Sequence, residues 1–332
     1  MKYYIIAEVR EDYPSRMGDS YLYNDYVSRK SMLDFCDSLN NIGYECTFLG
    51  GTCALFSAYK NHLDITNSIF INYNYGLPAA FKRVQSPAIL ELMQAKYSGA
   101  DPFIALLVND KEYTKRVLRA AGFQVPSSIL ALSADNLMEI LNERKLPLPL
   151  VVKPNSEGSS LGITERSFCK NYIEAYQTAS ELLTEFREVL VEQYIAGYEC
   201  TVWVIGNSGN FRIVAPLLVS ENGTYFFDKK IFTMQDKAAH TREYSLPEGI
   251  LGAELTHKIK NTAEEIFEEL GLRDYARLDF RISGSKIYCI EVNALPIFSK
   301  TSEIGEIMSL YGISYEEICK SIIETINSRL MS

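Results

Sequence analysis

Histidine and tryptophan are scarce in this chain, with three of the former and one of the latter in 332 residues. No two cysteines form a CxxC pair; the seven present (Cys36, Cys46, Cys53, Cys169, Cys200, Cys289 and Cys319) are scattered. A structural zinc site draws on clustered Cys and His, so none is expected. An odd number of dispersed cysteines, some inside apolar runs such as Ile287–Ile290, reads as buried free thiols in a reducing compartment. No histidine partner is evident for a nucleophilic cysteine. Basic residues are outnumbered, 33 against 42 acidic, for a formal net charge of −9. Such a chain repels phosphate backbones, which argues against a nucleic-acid partner. No apolar run approaches the ~18 residues of a membrane span. The N-terminus reaches Glu8 too early for a signal peptide, so a cytoplasmic location is expected.

What is present describes a folded chain. Hydrophobic residues make up 47% and charged residues 23%, and the length suits two or three domains. Strand patterns at Tyr3–Val9, Glu45–Leu49 and Ser68–Tyr73 alternate with helical patterns near 25–41 and 87–97, predicting a parallel, doubly wound sheet. Turn residues at Lys96–Pro102 set a first boundary. A second unit is predicted to hold a helix over 110–121 capped at Asn109, strand Ser127–Ala131, helix Ala134–Asn142, strand Leu150–Lys153, a long helix near 168–186 and strand Glu188–Tyr194. A third unit reads as antiparallel at first, over Glu199–Gly206 and Phe211–Val219. A 26-residue polar stretch, 220–245, follows, and so long a connection favours a functional lid. Helix 251–270, strands Ala276–Ile282 and Lys286–Val292, and helix Tyr315–Ser328 complete the chain. The resulting units are 1–102, 103–195 and 196–332.

Two constellations carry chemistry. Lys153 ends an apolar strand and precedes Gly158-Ser159-Ser160-Leu161-Gly162, offering a cation and approachable backbone N–H groups to phosphate oxygens. The lysine comes before the glycines, so this is not a Walker A loop. Further on, Arg277 and Asp279 share one strand face, as do Glu291 and Asn293. Paired as a hairpin, these strands bring the four groups together. The Asp279, Glu291 and Asn293 oxygens are the hard ligands that Mg²⁺ prefers, and apolar flanks make an uncompensated acid cluster costly. An exposed hairpin face with an Arg–Glu pair is the alternative.

In this order and spacing the two segments resemble the ATP-grasp superfamily, and within it the D-alanine–D-alanine ligase family, from about Asp110 to Tyr315. The resemblance implies a mixed α/β ATP-grasp fold behind an N-terminal Rossmann-like domain. It implies an ADP-forming carboxylate–amine ligase that joins small amino-acid-like substrates through an acyl phosphate. By the same resemblance, Lys111, Lys153, Gly158 and Ser160 would meet ATP phosphates. Glu192, Gln193 and Tyr194 would form the adenine hinge, and Glu199 would hold the ribose. Asp279, Glu291 and Asn293 would bind two Mg²⁺ ions, with Mn²⁺ as a substitute. Arg277 would stabilise the acyl phosphate, Ser159 and Ser302 would touch substrate, and one of Lys229, Lys230 and Lys237, with Lys237 favoured by its distance from Pro247, would be the lid lysine. A homodimer is compatible with the family. Three departures lie on the amino-acid side. Asn24, with Asp25 beside it, stands where the family has a glutamate; Asn72–Pro78 replaces a His-Gly loop; and Ile297 replaces a glycine. They leave open D-alanine–D-alanine ligation itself, another amide, or a non-catalytic Mg-ATP-binding module.

Overall fold

The computed structural model describes residues 1–13, 23, 26–239 and 241–331, without the side chains of Lys237 and Ala238. Asn24 and Asp25 therefore lie outside the described residues.

The chain opens with β1 (Lys2–Ile6), α1 (Arg29–Asn41), β2 (Glu45–Gly50), α2 (Thr52–Lys60), β3 (Ser68–Asn72), α3 (Gln85–Leu92) and β4 (Lys96–Tyr97). The strands form a parallel sheet in the order β2-β1-β3-β4. Tyr3, Ile5, Ile69 and Ile71 pack on one face with Met32, Phe35 and Leu39 of α1. Tyr4, Ile6 and Phe70 pack on the other with Leu55 and Leu90. Both faces are covered, so these strands read as unbroken apolar runs, and the doubly wound expectation holds. The first predicted helix begins later than expected, at Arg29. Ser28 caps it by accepting from the Ser31 N–H.

Next come α4 (Pro102–Asn109), α5 (Lys111–Ala120), β5 (Ser128–Ala131), α6 (Leu137–Arg144), β6 (Leu150–Pro154), β7 (Phe168–Cys169), α7 (Tyr172–Leu182) and β8 (Val189–Gln193). Three expectations need correction here. Asp101-Pro102 starts a helix: Asp101 accepts from the Ile104 N–H and Pro102 fills the first helical position. The cap of α5 is Asp110, which accepts from the Tyr113 N–H, and Asn109 instead closes α4. The long helix predicted over 168–186 is shorter, because Phe168–Cys169 pairs with β6 and Asn171 caps α7. These strands form an antiparallel sheet, β5-β8-β6-β7.

The remainder holds β9 (Gly197–Asn207), β10 (Asn210–Ser220), β11 (Phe226–Phe227), α8 (Met234–Ala238), β12 (Glu243–Ser245), α9 (Glu248–Leu251), α10 (Ala253–Glu269), β13 (Tyr275–Ser283), β14 (Lys286–Asn293), α11 (Glu303–Tyr311) and α12 (Tyr315–Leu330). A six-stranded antiparallel sheet runs β12-β10-β9-β13-β14, with β11 also on β9. The helix predicted over 251–270 is interrupted at Gly252, whose φ is +80°. The polar stretch 220–245 is pinned at both ends, by β11 on β9 and by β12 on β10. One face of the sheet packs through Val202, Leu278 and Phe280 on α10 residues Ile259, Ala263 and Ile266. Trp203, Ile205 and Leu217 join the core that includes α1 and α12. Six of the seven cysteines are buried and unpaired; Cys53 departs from expectation in being exposed.

Candidate active site

Strand register assembles the site. Across the β13–β14 hairpin, Arg277 stands opposite Asn293 and Asp279 opposite Glu291, with a bulge directly after Asp279. On the other side of β13, Thr201 of β9 faces Asp279 and Glu199 faces Arg281. Directly opposed residues share a face, so these polar groups form one surface while Leu278 and Phe280 go to the core. Bulges are common beside active sites because they re-aim side chains.

This surface meets the end of β6 and β8 in a cleft of about 1170 Å³, lined by residues that include Lys111, Lys153, Gly158, Ser159, Ser160, Glu192, Gln193, Tyr194, Glu199, Arg277, Asp279, Glu291 and Asn293. All of these had been singled out in the sequence. Ser302 is not among the lining residues. Its hydroxyl donates to the Ile297 and Ser299 carbonyls at 2.7 Å each and accepts from the Ile304 N–H at the start of α11.

At one end of the cleft the charges are deeply buried. Glu192 sits between Lys153 Nζ at 2.5 Å and Lys115 Nζ at 3.0 Å. Glu192 is 4% exposed and Lys115 2%. Burial alone would raise the Glu192 pKa, but the two lysines outweigh it and hold the carboxyl below its ordinary value. Burial also depresses Lys115, against the opposing pull of Glu192. Lys115 further donates to the Ile290 carbonyl. Lys111 donates to the Glu157 carbonyl at 2.5 Å and pairs with Glu291 at 3.2 Å. The two lysines predicted to meet phosphate thus carry fixed positive charge into the cleft.

The loop after β6 doubles back tightly. Ser159 and Ser160 both have left-handed φ, near +51° and +58°. Gly162 is also left-handed, and a Cβ there would lie 2.7 Å from the Pro154 ring. The Ser160 hydroxyl donates to the Phe232 carbonyl at 2.9 Å, tying this loop to the 220–245 stretch. Tyr194 donates to the carbonyls of Phe227 and Lys230, so the connection between β8 and β9 is fastened to the same stretch. Lys230 is engaged with Glu221 and Asp236 at 3.0 and 2.8 Å, and Lys229 is exposed.

At the other end Arg277 grips Asp279 through two hydrogen bonds of 3.0 Å and reaches Glu303 at 3.4 Å. Burial disfavours the charged guanidinium, yet Asp279 and Glu303 raise its pKa well above the ordinary value. Asp279 also accepts from Thr201 at 2.6 Å and Asn293 at 3.2 Å. Glu199 is held by Arg281 at 3.0 Å and Arg242 at 3.5 Å. Among the described residues no three His, Cys, Asp or Glu side chains gather into a metal site. The Asp279, Glu291 and Asn293 set supplies two carboxylates and an amide, oxygen chemistry that fits Mg²⁺ or Mn²⁺ and not zinc.

Lys115, Thr201, Arg242, Arg281 and Glu303 escaped the sequence reading. Lys115 lies four residues after Lys111 on one helical face, and Arg281 continues the alternation from Arg277 and Asp279, so periodicity could have found both. Arg242 and Glu303 come from segments with no such signal.

Of the substrate-side departures, the Asn72–Pro78 segment is a clamp. Asn74 bonds Thr52, Ser86 and the Glu8 N–H. The Phe298 N–H donates to the Tyr73 hydroxyl, and Tyr75 donates to the Leu295 carbonyl. Ile297 packs against the core that includes α1 and α12.

A cleft between two antiparallel sheets, with Lys153 at the end of one and the Asp279, Glu291 and Asn293 hairpin on the other, is the arrangement of an ATP-grasp enzyme, an ADP-forming carboxylate–amine ligase. Residues 118–324 match the family described as D-ala D-ala ligase C-terminus. A D-alanine–D-alanine ligase of Carboxydothermus hydrogenoformans is 34% identical over 274 residues, covering 80% of this chain and 81% of the relative. One from Bordetella avium is 31% identical, covering 73% of each. The chain therefore belongs to the D-alanine–D-alanine ligase family. Its fold is similar to the ATP-complexed D-alanine–D-alanine ligase of Bacillus anthracis, with a TM-score of 0.74 at 20% identity over 99% of this chain and 98% of that one. It is also similar to the VanG D-Ala:D-Ser ligase of Enterococcus faecalis, with a TM-score of 0.71 at 19% identity over 98% and 99%.

Proposed function

We propose that this ligase joins two small amino-acid-like substrates. The donor carboxylate attacks the γ-phosphorus, the bond to ADP breaks, and an acyl phosphate forms. The acceptor amine then attacks the acyl carbon, the carbon–oxygen bond to phosphate breaks, and the attacking nitrogen gives up a proton. The convergence of Lys111, Lys153 and Arg277 with Asp279, Glu291 and Asn293 in one cleft carries this reading.

In this reading Lys111, Lys153, Gly158 and Ser160 bind the phosphates. Gln193 and Tyr194 take the adenine beside Glu192, and Glu199 takes the ribose hydroxyls. Asp279, Glu291 and Asn293 hold Mg²⁺, one ion or two, which when bound neutralises developing phosphate charge. Arg277 supplies fixed positive charge at the reacting carbonyl, and Ser159 orients the substrate. Lys237, Asn24 and Asp25 keep their assigned lid and substrate roles as part of the proposal. So do the three-domain division at residues 102 and 195, a cytoplasmic location, a homodimer and the absence of nucleic-acid and membrane partners. Among the described residues no helix is long and apolar enough to cross a membrane.

Incubation with Mg-ATP, hydroxylamine and a panel of carboxylates tests the reading. Hydroxamate formation with matching ADP release is expected for at least one donor. Asp279→Asn and Glu291→Gln are each expected to lower it by ~10²-fold or more. Wild-type rates in both variants would overturn the reading.

A further inference from the structure

Arg281 is a buried cation that touches three separate segments of the cleft wall. It lies on β13 opposite Glu199 of β9, lines the cleft with Arg277 and Asp279, and is 7% exposed. Its Nη1 donates to the Gly197 carbonyl at 3.3 Å, at the start of β9. Its Nη2 donates to the Lys230 carbonyl at 3.1 Å, within the 220–245 stretch, and pairs with Glu199 Oε2 at 3.0 Å. The guanidinium carbon lies 5.5 Å from the Tyr194 ring centroid and 5.4 Å from that of Phe227.

Burying a guanidinium is costly, and well-packed apolar side chains often replace a buried ion pair without loss of stability. Stability alone therefore does not call for an arginine here. A planar fork of donors does what an apolar residue cannot, since it fixes a carboxylate and two carbonyls at once. Glu199 has a second partner, Arg242, at 3.5 Å. Arg242 belongs to the 220–245 stretch and stacks 4.2 Å over Phe232 of the same stretch. Arg281 is thus the partner that ties Glu199 to the middle of the six-stranded sheet. A carboxylate offers about four acceptor sites across its two oxygens, so the contacts to both arginines leave Glu199 able to accept from the hydroxyls of a ligand.

Resting on the ligase reading above, in which Glu199 takes the ribose hydroxyls, we propose that Arg281 is a positioning residue for the nucleotide. It holds the Glu199 carboxylate in one orientation. Through Gly197 and Lys230 it keeps the β8–β9 connection and the 220–245 stretch aligned with that carboxylate. An acceptor set in advance binds ribose without first losing side-chain freedom. Without the fork, Glu199 follows Arg242 and the stretch that carries it.

The test compares ATP with 2′-deoxy-ATP and 3′-deoxy-ATP on the full chain, with Mg²⁺, hydroxylamine and a donor identified by hydroxamate trapping. A hydroxyl donating to a carboxylate gives an expected wild-type preference for ATP of ~10-fold or more in kcat/KM over at least one deoxy analogue. Arg281→Met is expected to shrink that preference by ~3-fold or more, with KM for ATP rising more than kcat falls. Arg281→Lys, which keeps the charge but loses the fork, is expected to fall between the two. A purely structural role would lower the folded fraction and slow all the nucleotides alike, leaving the ratio where it was. Because the ratio is read within one protein, a partly unstable Arg281→Met still reports, and Arg281→Lys carries the same comparison if the apolar variant does not fold. An unchanged ratio in the folded variant overturns this inference and leaves the ligase reading intact. So does a wild-type enzyme indifferent to both hydroxyls. Absence of hydroxamate from every donor overturns the ligase reading itself.

Discussion

The two ends of the cleft are built on different physical terms. Where Lys115, Glu192 and Lys153 meet, the charges are almost fully enclosed and each is held by the others. Where Arg277, Asp279 and Glu303 meet, the side chains keep contact with water; Arg277 is 21% exposed. A buried charge network is rigid, because losing one member strands the rest in low dielectric. The Arg277, Asp279 and Glu303 side chains are 18–24% exposed, so water offsets part of what is lost when a partner is exchanged. In the function proposed above, the end that would receive the nucleotide is preorganised, and the end that would meet the amino-acid-like substrate is adjustable.

The largest expected effect tests the rigid end. Glu192→Leu leaves Lys115 and Lys153 buried without a counter-charge, and a loss of ~3–5 kcal/mol in urea unfolding is expected. A loss below ~1 kcal/mol would mean that the network is wetter than its burial indicates. The same glutamate gives an acid dependence. Its folded pKa lies below its ordinary value, so the unfolded state takes up the proton first. Stability from this group is present above ~4.3, the unfolded value, and is lost as pH falls through the lower folded one. Urea melts across that acid range should therefore be flatter for Glu192→Gln than for the parent chain. The smallest effect belongs to the adjustable end. Glu303→Gln is expected to change stability by no more than ~1 kcal/mol, because its partner Arg277 retains Asp279. A larger loss would make the two ends alike and break the comparison.

Legibility followed the same division. Lys153 and Gly158–Gly162 are contiguous, and strand alternation alone pairs Arg277 with Asp279 and Glu291 with Asn293, so their meeting needed only one hairpin. Lys115 and Arg281 lay within reach of periodicity. Glu303 and Arg242 did not, because their roles depend on where a short helix and a pinned loop come to rest. The fold was read with similar limits. The doubly wound sheet followed from unbroken apolar strands, whereas α4 was hidden by an Asp-Pro pair that serves equally as a turn and as a helix start. Ser28 and Asp110, not their neighbours, cap their helices, because capping depends on which side chain reaches a free N–H.

By itself the sequence determined the order of elements, the apolar faces that must be buried and the residue types able to hold phosphate and a hard cation. These depend on local periodicity and on chemistry intrinsic to each side chain. Tertiary structure decided the pairing of charges: Glu192 between two lysines, Glu199 between two arginines, and Arg277 divided between Asp279 and Glu303. Electrostatic strength depends on distance and desolvation, and in this protein both are set by segments far apart in the chain.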